Sequence, residues 1–215
     1  MNNLKENLHN VRARVARACE KAGRNPAEIV ILAVSKKHPV ERIHALHELG
    51  QASFGENYVQ EALAKMAQVP HTDIEWHFIG PLQSNKTREV AQHFQWVQSV
   101  DRIKILRRLS SQRSANEPDL NVCIQINIDR EPQKAGVMPE QAKELAYAAL
   151  ALPKIRLRGL MTIPQAASAL HDPSGSYLRM KALYYDLFED GMKLDTLSMG
   201  MSGDLEAAIM HGTTM

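Results

Sequence analysis

A lysine placed where an apolar run stops is the residue of this chain best suited to covalent chemistry. The stretch IVILAVSKKHP, residues 29–39, is apolar and mostly β-branched up to Val34, turns polar at Ser35, Lys36 and Lys37, and reaches Pro39 where a new element begins. So short an apolar run is expected to be a strand buried on both faces of a parallel sheet, and the proline suits the first turn of a helix. Lys36 then ends the strand at its carboxyl edge, where α/β folds assemble their sites. At the mouth of an apolar cavity, desolvation disfavours the ammonium and raises the neutral, nucleophilic fraction, which can form a Schiff base with an aldehyde. A solvated strand-end lysine is the plainer alternative, and the commoner one among proteins at large.

The second stretch with chemical potential is LSMGMSGDLEAAI, residues 197–209. Two glycines and Ser202 fall between an expected strand and an expected helix, so free backbone amides and a helix dipole would favour an anion, phosphate above all. The alternative is Ser202 as an ordinary N-cap. An amine that captures an aldehyde and a cradle for phosphate on the same rim together suggest pyridoxal 5'-phosphate (PLP) as cofactor. Asn57, after FGE, makes a capping-box pattern with Gln60 and is also a candidate ligand contact. His77, inside EWHFIG, reads as a hydrogen-bonded core residue. His44 and His47 share a helix face at i,i+3, but no further ligand completes a recognisable zinc spacing, so no metal is assigned. Lys134 reads as a solvated loop residue.

These residues need a scaffold, and the hydrophobic pattern supplies one. Leu4, Leu8, Val11, Val15 and Ala18 recur at helical spacing up to Gly23, giving an amphipathic N-terminal helix. Strands are expected at 29–36, 52–55, 76–80, 96–100, 121–128, 155–163 and 196–199. Helices are expected at 39–49, 57–67, 84–93, after Asp101 as a cap, and at 139–150, 177–188 and 203–210. Regular strand–helix alternation with short connections predicts a parallel sheet with helices outside it. A (β/α)8 barrel of the TIM type, with an extra N-terminal helix, leads over an open doubly wound sheet. The final HGTTM falls where an eighth strand is expected to begin, so that strand is expected to be missing from the 215 residues. On a shared rim the pattern gathers Lys36, Glu56, Asn57, Gly80, Ser99, Asp101, Asn127, Met161, Thr162, Met199, Gly200 and Ser202.

Composition narrows the function classes. No shift or low-complexity linker divides the chain, so residues 1–215 are expected to form one domain. Net charge is +2 with basic residues dispersed, which argues against a nucleic-acid surface. Cys19 and Cys123 are too few and too isolated for a disulfide framework. No apolar run approaches the ~18 residues of a membrane span, and the polar start lacks a signal-peptide core. A cytoplasmic protein is expected.

In their order, LAVSKKHP, FGENYVQE, WHFIGPLQSNK, the QSVD turn, INIDREPQKAGV, RGLMTIP and LSMGMSGDLEAAI resemble the pyridoxal phosphate homeostasis protein family, related to the barrel domain of alanine racemase. The resemblance runs from about residue 30 to the end. It implies a (β/α)8 barrel carrying PLP, with Lys36 as the Schiff-base lysine, Ser202 at the phosphate, and Asn57 and Met199 in the cofactor pocket. Lys37 and His38 depart from the small residue and lysine that usually follow the first lysine. The family also continues beyond the final Thr-Met into a strand that supplies the partner of the pyridine nitrogen and further phosphate contacts.

Racemization needs bases on both faces of the substrate carbon. In the related racemases the second is a tyrosine from an added β-domain, which the resemblance says so short a chain lacks. The expected function is therefore PLP carriage and regulation in vitamin B6 and amino-acid homeostasis, without catalytic turnover and with no catalytic residue assigned. Expected partners are PLP and PLP-dependent apo-enzymes, acting with a monomer. A PLP-dependent amino-acid racemase and a cofactor-free barrel that serves as an interaction module are the alternatives.

Overall fold

The computed structural model describes residues 2–69, 71, 73–165 and 173–215. The amphipathic start forms α1 (Asn2–Ala22). Seven strands follow, β1 (Ala33–Val34), β2 (Ser53–Glu56), β3 (Glu75–Phe78), β4 (Trp96–Val100), β5 (Leu120–Gln125), β6 (Ile155–Met161) and β7 (Thr196–Ser198). Between and after them come α2 (Val40–His47), α3 (Val59–Met66), α4 (Thr87–His93), α5 (Ile103–Gln112), α6 (Ala142–Leu150), α7 (Ser174–Glu189) and α8 (Leu205–Met210). Every strand pairs in parallel with its neighbour in sequence, in the order β1 to β7. That singly wound order is the barrel's; a doubly wound sheet would reverse direction at a switch point.

The sheet curls until its two edges nearly meet. Thr214 N–H donates to Leu197 O at 2.9 Å and Met199 N–H to Met215 O at 3.1 Å, while on the other side Val30 N–H donates to Thr214 O at 2.8 Å. Residues 213–215 thus lie between β7 and the segment entering β1, where an eighth strand belongs in a closed barrel. Side chains from non-adjacent strands meet inside: Ser198 of β7 donates to Gln98 Oε1 of β4 at 2.6 Å, and Gln98 Nε2 lies 2.9 Å from His77 Nδ1 of β3.

Several sequence-based expectations are corrected. The first strand spans only Ala33–Val34 and is not buried on both faces, since Val30 and Val34 are more than 40% exposed. It pairs with β2 alone, and only Ile29 and Ile31 are packed beneath α1 and α8. Asp101 does not cap α5; Arg102 takes that place, and Asp101 pairs with Arg102 instead. Pro39 occupies the N-cap of α2, one residue earlier than a first-turn proline. The looser segment expected at HDPSGS, residues 171–176, before the α7 helix is described only from Pro173, since His171 and Asp172 lie outside the described residues.

His77 is the buried, hydrogen-bonded core residue expected. It is fully buried and stacks on Trp96 at 5.0 Å. Burial, helped by the nearby Arg158 charge, pushes its pKa down to about 3. The unfolded chain then binds one more proton than the folded one between the ordinary histidine value of 6.5 and about 3. Stability from this group is complete above that window and falls as pH drops through it, by about 1.4 kcal/mol per pH unit at its steepest. Urea melts across this range should show the slope, and His77→Gln, which keeps a partner for Gln98, should flatten it. An unchanged slope in the variant would assign the acid sensitivity to other groups.

Candidate cofactor site

A cavity of about 460 Å3 lies between the β1 and β7 sides of the sheet and reaches the carboxyl-terminal rim. Lys36, Asn57, Met199 and Ser202 all line it, so four residues drawn from three separate stretches of sequence share one space. Met161, Thr162 and Gly200 of the expected rim join them. Glu56, Gly80, Ser99, Asp101 and Asn127 do not line it. Ser99 donates to Gly80 O, and Asn127 bonds both the N–H and the carbonyl of Glu131.

Lys36 is aimed by a buried ionic network. The backbone reverses over 35–38, with His38 N–H donating to Ser35 O at 3.0 Å and Lys37 at φ 61°. Below this turn Lys65, only 6% exposed, donates to Ser35 O, Glu56 Oε1 and Glu61 Oε1, each at 2.7 Å. Ser35 Oγ also donates to Glu56 Oε1 at 2.7 Å, and Lys37 N–H to Glu61 Oε1 at 2.5 Å. Burial pushes the Glu61 carboxyl up, but the Lys65 ammonium and the Lys37 N–H outweigh it and hold the group below the usual carboxylate range. The result separates two adjacent lysines that strand alternation alone left undistinguished. Lys37 is exposed, whereas Lys36 is half-buried against the cavity and its Nζ makes no hydrogen bond or ion pair among the described residues.

Asn57 is not the helix cap its spacing suggested. α3 begins two residues later, with Tyr58 at the N-cap and no side-chain capping bond. The Asn57 side chain is left at the cavity, its Oδ1 buried and without a partner. Such an orphaned acceptor costs free energy unless a ligand or water satisfies it. Gly80 fixes this position, since a Cβ there would stand 2.2 Å from Asn57 O. Gly80→Ala should therefore displace the β2–α3 loop and cost about 1–3 kcal/mol, as overpacking does. Thermal melts measure the loss, and an unshifted midpoint would show that the loop yields freely.

Ser202 is likewise no cap. Asp204 precedes α8, its Oδ1 accepting from Met201 N–H at 2.6 Å, and Ser202 is exposed on the turn. Gly200, at φ 97°, brings the loop against α8; a Cβ there would lie 2.5 Å from Ala208 Cβ. The amides of Gly200 and Ser202 make no hydrogen bond among the described residues, and both residues line the cavity. Unpaired amides beside a hydroxyl form a concave donor set suited to an oxyanion. Lys134, by contrast, is held by Glu131 at 2.5 Å, consistent with a loop role.

An amine without a partner, an orphaned side-chain oxygen, and free amides beside a serine fit a small molecule with an aldehyde and a phosphate. The family model for the alanine racemase N-terminal domain matches residues 3–215. The pyridoxal phosphate homeostasis protein of Pseudomonas aeruginosa is 50% identical, covering 100% of this chain and 92% of its own. This chain belongs to the pyridoxal phosphate homeostasis protein family. Among solved structures, PipY of Synechococcus elongatus with PLP bound is 31% identical, with a TM-score of 0.80, covering 93% of this chain and 94% of that one. An unknown protein from Bifidobacterium adolescentis is 30% identical at a TM-score of 0.89, covering 99% of this chain and 91% of that one. Family membership accords with the barrel order of the strands and with the N-terminal helix. The expectation of that family from LAVSKKHP through LSMGMSGDLEAAI is met over the whole chain.

Sequence reasoning missed Gln98, Ser198 and Ile79, which also line the cavity, and Lys65, which organises the turn beneath Lys36. Gln98 left a signal: a polar residue at the centre of the fully buried strand WVQSV. Lys65 left only its i,i+4 spacing from Glu61, common on solvated helices. No helix among the described residues is long and apolar enough to cross a membrane.

Proposed function

We propose that this chain carries PLP covalently on Lys36 and serves vitamin B6 and amino-acid homeostasis as a carrier and regulator, without catalytic turnover. The observation that carries the reading is the convergence of Lys36, Asn57, Met199 and Ser202 on one cavity, in a chain whose relative PipY was solved with PLP bound. When bound, PLP supplies an aldehyde for amines and an electron sink. Lys36 Nζ supplies the amine that holds it. Ser202 and the amides of Gly200 and Ser202 receive the phosphate, and Asn57 Oδ1 accepts a hydrogen bond from the bound molecule. Met199, almost fully buried, and Ile79 would give the cavity an apolar wall that excludes water from the bound cofactor.

The choice against racemization rests on the acid–base inventory. Among the described residues lining the cavity, Lys36 is the only acid or base, so one face of a substrate carbon lacks a proton donor. The proposed setting is the cytoplasm, the proposed state a monomer, and the proposed recipients PLP-dependent apo-enzymes.

Mixing the protein with PLP, reducing with borohydride and mapping peptides tests the assignment. The adduct should fall on Lys36; an adduct on another lysine refutes the site, and none refutes PLP carriage. In deuterated water with L-alanine, stereoinversion with solvent label at turnover rates would establish the racemase instead.

A further inference from the structure

A second cluster of chemically capable side chains lies away from the cavity, at the far end of α2. His44 and His47 stand on one face of its last two turns, and the segment between α3 and β3 brings His71 and Asp73 against them. Asp73 reaches His47 Nε2 with both carboxylate oxygens, at 2.9 and 3.0 Å. The His71 ring stacks on that of His47 at 4.0 Å with 19° between planes. His44 meets His71 edge-on, and its Nδ1 lies 3.3 Å from His71 Nε2. One ligand atom each from His47, His71 and Asp73 lie within 4.8 Å of one another.

We propose that His47, His71 and Asp73 form a site for a divalent transition-metal ion of the zinc class, with His44 as a positioning residue for His71. Imidazole nitrogen and carboxylate oxygen bind zinc at about 2.0–2.2 Å, so two ligand atoms on one tetrahedral ion stand about 3.3 Å apart. The closest observed separation is 2.9 Å and all three ligand atoms lie within 4.8 Å, a range that includes that value; the stacked His47 and His71 rings must tilt apart for both in-plane lone pairs to meet one ion. Two imidazoles and one carboxylate match zinc and its neighbours, not magnesium or calcium, which require oxygen shells. One position would remain for water. The His44–His71 bond selects one tautomer of His71 and orients its ring, the role outer hydrogen bonds play around metal-bound histidines.

The cluster lies where an ion can reach it. Asp73 keeps 70% of its side chain exposed and His47 keeps 18%, so the cluster is open to solvent. An ion there would tie α2, which follows the Lys36 turn, to the segment leading into β3.

The test uses untagged, chelator-stripped protein dialysed against ZnCl2, with bound metal quantified and thermal melts recorded with and without the ion. Stoichiometric binding, near one ion per chain, with a raised melting temperature is expected. D73N, at an exposed position that leaves the core untouched, and H47N should each abolish stoichiometric binding; H44N should weaken it roughly tenfold or more. Cobalt substitution should give d–d bands of nitrogen and oxygen ligation that disappear in H47N. Cys19 and Cys123 are both buried and offer no competing site. Failure of the native protein to bind zinc, or binding unchanged in D73N and H47N, would overturn the proposal.

Discussion

Replacing Lys36 by alanine should remove the visible band formed when the native protein is mixed with PLP, and leave no borohydride-trapped adduct. Lys36 is the only lysine lining the cavity among the described residues. Because its Nζ makes no hydrogen bond or ion pair there, the substitution should change folding stability by no more than about 0.5 kcal/mol. Lys37→Ala is the matched control. Its side chain is exposed, and only its backbone N–H takes part in the network below the turn, a bond that alanine retains. That variant should keep the adduct. A visible band that persists in Lys36→Ala and vanishes in Lys37→Ala would reverse the assignment of the two lysines.

The second large effect is expected at Lys65, a residue with no direct place in the cavity. Its ammonium is the shared donor to Glu56, Glu61 and Ser35 O, and Glu56 is fully buried. Glu56 Oε2 already lacks a partner, so this site has no spare donor to compensate. Lys65→Met leaves a buried carboxylate without its counter-charge, at a cost of about 3–5 kcal/mol. Denaturant titration reads this as a lower midpoint at unchanged slope. A second variant separates stability from positioning. Lys65→Met with Glu56→Leu replaces the pair by apolar groups and should recover much of the stability. It also removes the bonds that Lys65 and Glu56 make to Ser35, leaving Ser35 only its bonds to Gly55 O and to the His38 N–H within the turn, so the turn bearing Lys36 loosens and PLP retention stays low. Full recovery of both would show that the network stabilises the barrel without aiming Lys36.

Local chemistry makes the strand–helix alternation legible in the sequence. Hydrophobic period, glycine breaks and short connections are properties of a few consecutive residues, and they suffice for a parallel barrel order and for the ends of most elements. The same locality placed Lys36 at the end of an apolar run and Gly200 with Ser202 on a turn, while the ordered motifs carried the family. What adjacent residues could not determine was direction and partnership. Asn57 and Asp101 both looked like caps because capping residues are chosen by type, yet each helix starts elsewhere and Asn57 is left with an unpaired oxygen at the cavity.

Lys36 and Lys37 differ only through Glu56, Glu61 and Lys65, contributed by β2 and α3, which turn one lysine inward and the other out. His47 and Asp73, separated by 26 residues, become neighbours only after α2 and the α3–β3 segment pack together. The sequence by itself therefore determined the repeating unit, the barrel order and the reactive residue types, because these follow from short-range sterics and hydrophobic pattern. Tertiary structure alone decided which side chains face one another, because burial and electrostatic pairing depend on segments distant in the chain.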